Sequence, residues 1–223
     1  MPFKWAPSSY FRLFISHAAD SVVLARELRK QLTDYGIASF VAHEVGPTSG
    51  DCARSVNAAL SSMDALVALL TPAFNRNEWC NHEVGVAVGR GVHIHAVQIN
   101  GRPHGLVAAI PQLGMPTDYC LPRLISRFIA SDPLASRRLA PGAIEALENR
   151  DNSGLLDSVA YLEHIVYPGL QAVLQLMRTT AEIRSRVPPS VTMRLDQLIE
   201  RWQESSRMDA REDRTADYHR CLV

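Results

Sequence analysis

Glu83 stands four residues after Trp79 in the run Trp79-Cys80-Asn81-His82-Glu83. On a helix that spacing puts the indole and the carboxylate on one side, a turn apart. Cys80, Val84, Ala87 and Val88 form an apolar stripe, and at about 100° per residue Trp79 and Glu83 fall on its margin. A carboxylate there is partly desolvated, which is unfavourable unless the group is paired or used. The chemistry it offers is orientation of hydroxyls and stabilisation of developing positive charge. On spacing alone, an amphipathic helix whose Glu merely reaches solvent accounts for the run better.

Other motifs fail their own requirements. Gly46 to Gly50 is not followed by Gly-Lys-Ser/Thr, so it is no phosphate loop. Gly89-Arg90-Gly91 ends a helical pattern rather than a first strand, and no Gly-x-Ser-x-Gly elbow occurs. A receiver domain wants an aspartate at the end of the third strand, where Thr71 stands. His93 and His95 alternate on one strand face without a third ligand at helical or turn spacing, so no metal site is expected. Gly85 and Gly89, four apart, are expected to allow close helix–sheet packing.

The elements that would position these residues are short and regular. Apolar runs at 13–15, 38–41, 65–70 and 92–99 have strand length, and the third shows no polar alternation, the mark of a strand covered on both faces. Between them Val22, Ala25, Leu28 and Leu32 keep a helical step, with Asp20 or Ser21 as N-cap and Gly36 as C-cap. Further helices are predicted at 52–60 and 79–88, the latter capped by Asn77. A fifth strand near 112–115 and a helix near 121–129 complete a doubly wound parallel α/β sheet. Ligands of such sheets bind beyond the carboxyl ends of the strands. Those ends carry Ser16-His17-Ala18-Ala19-Asp20, Ala42-His43-Glu44, Thr71-Pro72 and Asn100-Gly101-Arg102.

Past Asp132-Pro133 the strands stop. Ile144 and Leu147 suggest a short helix, and a stripe from Val159 to Met177 passes through Pro168-Gly169, which should kink or divide it. Pro188-Pro189 breaks that segment, and Val191, Leu195, Leu198 and Trp202 trace another helix. The expected organisation is an N-terminal segment 1–9, an α/β domain 10–132, a helical extension 133–205 forming a small bundle, and a disordered polar tail 206–223. Lys+Arg and Asp+Glu both total 23, which argues against broad electrostatic binding of nucleic acid. With 47% hydrophobic residues and no run long enough to span a bilayer, the chain reads as globular and free of membrane helices. Four scattered cysteines and no secretory signal point to the cytoplasm.

Phe14-Ile15-Ser16-His17, Phe40-Val41-Ala42-His43, the run 65–70 and Glu78-Trp79-Cys80-Asn81-His82-Glu83-Val84-Gly85, in that order, resemble a bacterial TIR (Toll/interleukin-1 receptor) domain over roughly residues 10–130. The W-x-x-x-E run is the most specific element. The resemblance implies a flavodoxin-like sheet followed by a helical extension outside the family's span. It implies NAD+ as substrate rather than cofactor, cleaved at the nicotinamide–ribose bond to ADP-ribose or a cyclic or conjugated relative. It further implies a signalling role such as that of TIR proteins in antiphage systems like Thoeris, with a separate effector reading the product. The family's catalytic glutamate falls on Glu83. Its mobile loop falls on residues 42–50, where Gly46, Pro47 and Gly50 would shape a contact between neighbouring protomers.

Many members carry an aspartate where this chain has Ala42, and similar members carry a Trp where it has Gly50-Asp51-Cys52. Trp79, Ser16, Arg12, His43, Glu44 and Phe74 are the candidates for substrate contacts, with Arg102 an alternative to Arg12 and Asp51 an alternative to Glu44 or Phe74. Cleavage of a nicotinamide–ribose bond passes through an oxocarbenium-like state and needs no strong acid, so one carboxylate can suffice. A non-enzymatic TIR adaptor and a nucleoside deoxyribosyltransferase-like enzyme are the competing readings.

Overall fold

The computed structural model describes residues 4–42, 50–114, 121–150 and 154–220, with residues 50–52 and 208–220 described by backbone alone. The chain divides into two compact units, residues 1–126 and 127–223.

In the first unit β1 (Phe11–Ser16), β2 (Ile37–Val41), β3 (Ala65–Leu70), β4 (His93–Gln98) and β5 (Gln112–Gly114) form one sheet in the order β2-β1-β3-β4-β5. Every pairing is parallel. This is the flavodoxin order, and the chain reverses direction across the sheet at the β1/β3 boundary. All six residues of β3 are buried, as its unbroken apolar run requires of a central strand. The crossovers carry α1 (Val22–Leu32), α2 (Gly50–Ser62), a short α3 (Pro72–Arg76) and α4 (Glu78–Gly89), and α5 (Leu121–Ser131) follows β5. Helix α3 has no apolar period of its own. Pro72 at its first turn and the Thr71 side chain, accepting from the Phe74 N–H, create it.

Helix α1 runs into a 3₁₀ turn that Gly36 closes at φ 71°, a left-handed conformation that favours glycine. Its start differs from expectation. Ser21 occupies the N-cap position without a side-chain cap bond, and its hydroxyl donates to the Ala18 carbonyl instead.

One face of the sheet presents Phe14, Phe40, Leu66, Ala68, Leu70 and Ala96 to a core completed by Ala59, Leu60, Phe74, Cys80, Val84 and Ala87 from α2, α3 and α4. Phe14 and Phe40, in register on neighbouring strands, stack at 5.3 Å. Trp5 ties the segment before β1 to this core, its ring edge-on to Phe40 and its Nε1–H donating to Ser62 Oγ at 2.9 Å. Gly85 and Gly89 do not serve close packing: a Cβ at either would meet nothing within 4 Å. The small residues that let α4 approach the sheet lie on the strands, where Ser16, Ala68 and Ala96 form one row across β1, β3 and β4.

The second unit is helical: α6 (Pro133–Glu148), α7 (Leu155–Leu162), α8 (Leu170–Ile183) and α9 (Pro189–Arg220). Asp132 caps α6 by accepting from the Ala135 N–H at 2.7 Å. That helix continues through Pro141 and is longer than the short element expected around 144–147. The stripe from Val159 to Met177 is divided into α7 and α8, with Gly169 at φ 76° before α8. Leu139, Ile144, Leu147, Val159, Leu162, Leu176, Leu195 and Trp202 are buried in this unit. Arg194 grips the Glu163 carboxylate with two donors at 2.9 and 2.7 Å, joining α9 to α7. Where a disordered tail was expected from 206, α9 keeps helical backbone to Arg220, since no Gly or Pro interrupts residues 190–220. Among the described residues no helix is long and apolar enough to cross a membrane.

Candidate active site

Helix α4 sets Glu83. Asn77 starts it, its Oδ1 accepting from the N–H groups of Trp79 at 2.9 Å and Cys80 at 3.3 Å. The helix then buries Cys80, Glu83, Val84 and Ala87. Glu83 is only 5% exposed, so it faces the sheet rather than solvent. Opposite it stands the last residue of β1. The Ser16 hydroxyl, 1% exposed, donates to Glu83 Oε2 at 2.5 Å. Among the described residues no cation pairs with this carboxylate.

Burial pushes the Glu83 carboxyl up to about 7, and the Ser16 hydrogen bond opposes that rise by favouring the charged form. Cys80, one turn earlier, is a buried free thiol pushed up to about 12, first by burial and then by the Glu83 charge. It is therefore a neutral filler beside the carboxylate and no nucleophile.

The neighbouring end of β3 is fixed just as closely. Thr71 Oγ1 accepts from the Phe74 N–H at 3.1 Å and donates to Asp20 Oδ1 at 2.9 Å. Gly101, after β4, lies so near the Thr71 backbone that a Cβ would stand 2.5 Å from its carbonyl carbon. The Leu70 carbonyl accepts from the N–H groups of Ile99, Asn100 and Gly101. These contacts lock the carboxyl ends of β3 and β4 together. Asp20, weighed from the sequence as a helix cap and as part of the carboxyl end of the first strand, is held by Thr71.

The other predicted residues scatter. Arg12 lies four residues before Ser16, roughly 13 Å along the strand. There it forms a bidentate pair with Asp64, Nε to Oδ2 at 3.0 Å and Nη2 to Oδ1 at 2.7 Å, at the amino end of the sheet. The structure does not bring it to Glu83. Phe74 is buried in the core, so its ring packs rather than faces a ligand. Arg102 is exposed, and its carbonyl accepts from Asn75. Trp79 is 71% exposed, its ring edge-on to His82 at 6.3 Å. Helical spacing aligns it with Glu83, but as part of the first turn it stands clear of the core. His43, Glu44, Gly46 and Pro47 lie outside the described residues, and Gly50 is the first residue of α2. The rings of His93 and His95 stack at 6.4 Å.

A doubly wound parallel sheet with a buried carboxylate at the end of β1 defines an α/β module, and open sheets of this order bind their ligands outside the carboxyl ends of the strands at the switch point. More specifically, residues 13–113 match the family model of the TIR domain, and the first unit has the TIR fold. A solved structure is similar: the TIR domain of the Toll-related receptor TRR-2 from the lower metazoan Hydra magnipapillata, at 16% identity, a TM-score of 0.41, and coverage of 53% of this chain and 91% of that one. No curated protein matches the chain.

Proposed function

We propose that the TIR unit cleaves NAD+ at its nicotinamide–ribose bond, with Glu83 as the catalytic carboxylate. The observation that carries this reading is the placement of Glu83: buried, without a cation partner among the described residues, and held by one hydroxyl at the end of β1. Such a group is unfavourable as mere structure and suited to a substrate that brings hydroxyls and positive charge. The C1′–N bond breaks with its electron pair leaving on nicotinamide. Glu83 accepts from the ribose hydroxyls and stabilises the oxocarbenium-like centre. Water then adds at C1′ and releases a proton, giving ADP-ribose, or an adenine nitrogen adds and closes a ring.

TIR domains associate with one another, and we assign residues 42–50 to a contact between copies that completes the site. Specific activity should then rise with protein concentration. A role in bacterial antiphage signalling, with a separate effector reading the product, follows the same resemblance. The adaptor reading is favoured by one observation, the exposure of Trp79 at the head of α4. Nicotinamide release from NAD+ by wild type and by Glu83→Gln at equal concentration, with thermal melts alongside, tests the assignment. Gln keeps an accepting oxygen and loses the charge, so release should fall about a hundred- to ten-thousand-fold in a folded protein. Near-equal release by the two proteins overturns the assignment of Glu83, and no release by either leaves the adaptor. Base exchange on deoxynucleosides, assayed beside it, tests the deoxyribosyltransferase reading.

A further inference from the structure

Helix α8 carries two apolar faces, and the helical unit uses one of them. Ala172, Val173, Leu176, Thr179, Thr180 and Ile183 are buried, and the helix packs against α6 and α9. Leu170, Leu174 and Met177 are 62%, 43% and 42% exposed, and Ala181 is exposed as well. Their spacing of four, three and four residues draws one narrow stripe, roughly 130° round the helix from the buried face. Such a 3-4 repeat is the seam by which one helix packs along another at a shallow angle. The margins of the seam are charged. At about 100° per residue Arg178 falls on one margin and Arg184 on the other. Arg184 donates to Asp196 of α9 at 2.7 Å, and Gln203 of α9 donates to Met177 Sδ at 3.5 Å. These two contacts lay α9 antiparallel along the second margin. Glu200, between Asp196 and Gln203 on the same face of α9, therefore stands within a turn of the level of Arg178, across the seam. Both are exposed, and among the described residues no ion pair takes up either.

We infer that this seam is an interface between copies of the chain: α8 of a second copy packs along it in parallel, about a two-fold axis that runs with the helices. The inference rests on the association between copies read above and names where the helical unit takes part in it. Charge chooses the partner and its direction. A two-fold axis along α8 carries each margin of one copy to the opposite margin of the other, so Arg178 of each copy meets Glu200 of the partner subunit, twice over. An antiparallel pair with the whole seam overlapped sets like margins face to face and brings Arg178 level with Gln171 and Gln175 instead. The chain offers no cover of its own. No stretch outside the described residues exceeds seven residues, and a helix matching the roughly 17 Å from Leu170 to Ala181 needs about eleven. The stripe exposes on the order of 300 Å² per copy, below the roughly 800 Å² per partner of a stable interface, so it works alongside a second contact. Association of TIR domains supplies one. Each contact then forms at the high effective concentration that the other creates.

Sedimentation velocity of the full-length protein over a concentration series tests this. Wild type should associate reversibly, and Leu174→Glu should weaken association about tenfold or more. Arg178→Glu and Glu200→Arg each set like charges opposite one another and should weaken it about three- to tenfold. An equimolar mixture of those two variants should regain wild-type association within about twofold, because a mixed pair restores both opposite-charge contacts. Added salt should narrow the differences among the charge variants. Melts of dilute protein should match wild type in all three, since every substituted side chain is exposed. Monomeric wild type throughout the series, association that ignores Leu174→Glu, or a mixture no tighter than its parts overturns the inference. A lowered melting temperature with unchanged association also overturns it, and would place the seam against another part of its own chain. Nicotinamide release reports separately. Pairing through α8 without release refutes only the cleavage, and release from a protein whose association ignores α8 refutes only the seam.

Discussion

The Ser16 hydroxyl and the Glu83 carboxylate, 67 residues apart in sequence, meet at 2.5 Å in a buried contact between the end of β1 and the second turn of α4. That contact moderates the effect of burial, which alone would hold Glu83 still further above the ordinary glutamate range.

Removing the hydroxyl should therefore change the pH dependence of turnover more than its ceiling. The ionised carboxylate is the working form, so kcat/KM rises as pH increases through the Glu83 transition near 7. In Ser16→Ala that rise should move to higher pH, with a deficit of about tenfold below the transition and little above it. Ser16→Thr, which keeps a hydroxyl, should restore most of the profile. A deficit equal at all pH values would instead make Ser16 a substrate contact.

The same carboxylate should set a pH-dependent stability difference. Glu83 titrates at about 7 in the folded protein and near the ordinary glutamate value of 4.5 when unfolded. Between those values the folded state holds the extra proton, so stability falls as pH rises through that window. The cost at pH 8 is about 3 kcal/mol. Glu83→Gln avoids it. The variant should melt close to wild type at pH 4 and on the order of 5–10 °C above it at pH 8. Parallel melting curves across this range would mean that Glu83 is not desolvated.

Arg12 belongs to the fold's support. Its bidentate pair with Asp64 is partly buried, and Asp64 also accepts from the Arg12 backbone N–H at 2.9 Å. Arg12→Ala should cost about 1–3 kcal/mol of stability by leaving Asp64 short of partners. Among the molecules that remain folded, KM for NAD+ should not change. A selective rise in KM would return Arg12 to the binding of diphosphate.

Gly101 should tolerate no side chain. In Gly101→Ala the new Cβ would meet backbone atoms of Thr71, which cannot swing aside as a flexible side chain could. The variant should lose about 1–3 kcal/mol in thermal or denaturant melts. Gly85→Ala, with open space around it, is the matched control and should be neutral or slightly stabilising.

Much of this molecule is written in short-range pattern. The unbroken apolar run 65–70 identified a central strand and Asn77 marked the start of α4, whereas the four-residue step from Trp79 alone favoured a solvent-reaching Glu83, which only the family resemblance marked as catalytic. These signals are local because hydrophobic period and capping involve residues within a turn or two of one another. The tertiary structure alone decided what each side chain meets. It set Glu83 under Ser16, and drew Asp20 from a helix cap to Thr71, 51 residues away. It committed Arg12 to Asp64 at the far end of the same strand. It parted Trp79 from the carboxylate with which it shares a helix side, one exposed and one buried. Such partnerships depend on strand order and register, which fix who stands opposite whom across the sheet, and no local period encodes a neighbour that the chain reaches only after crossing it.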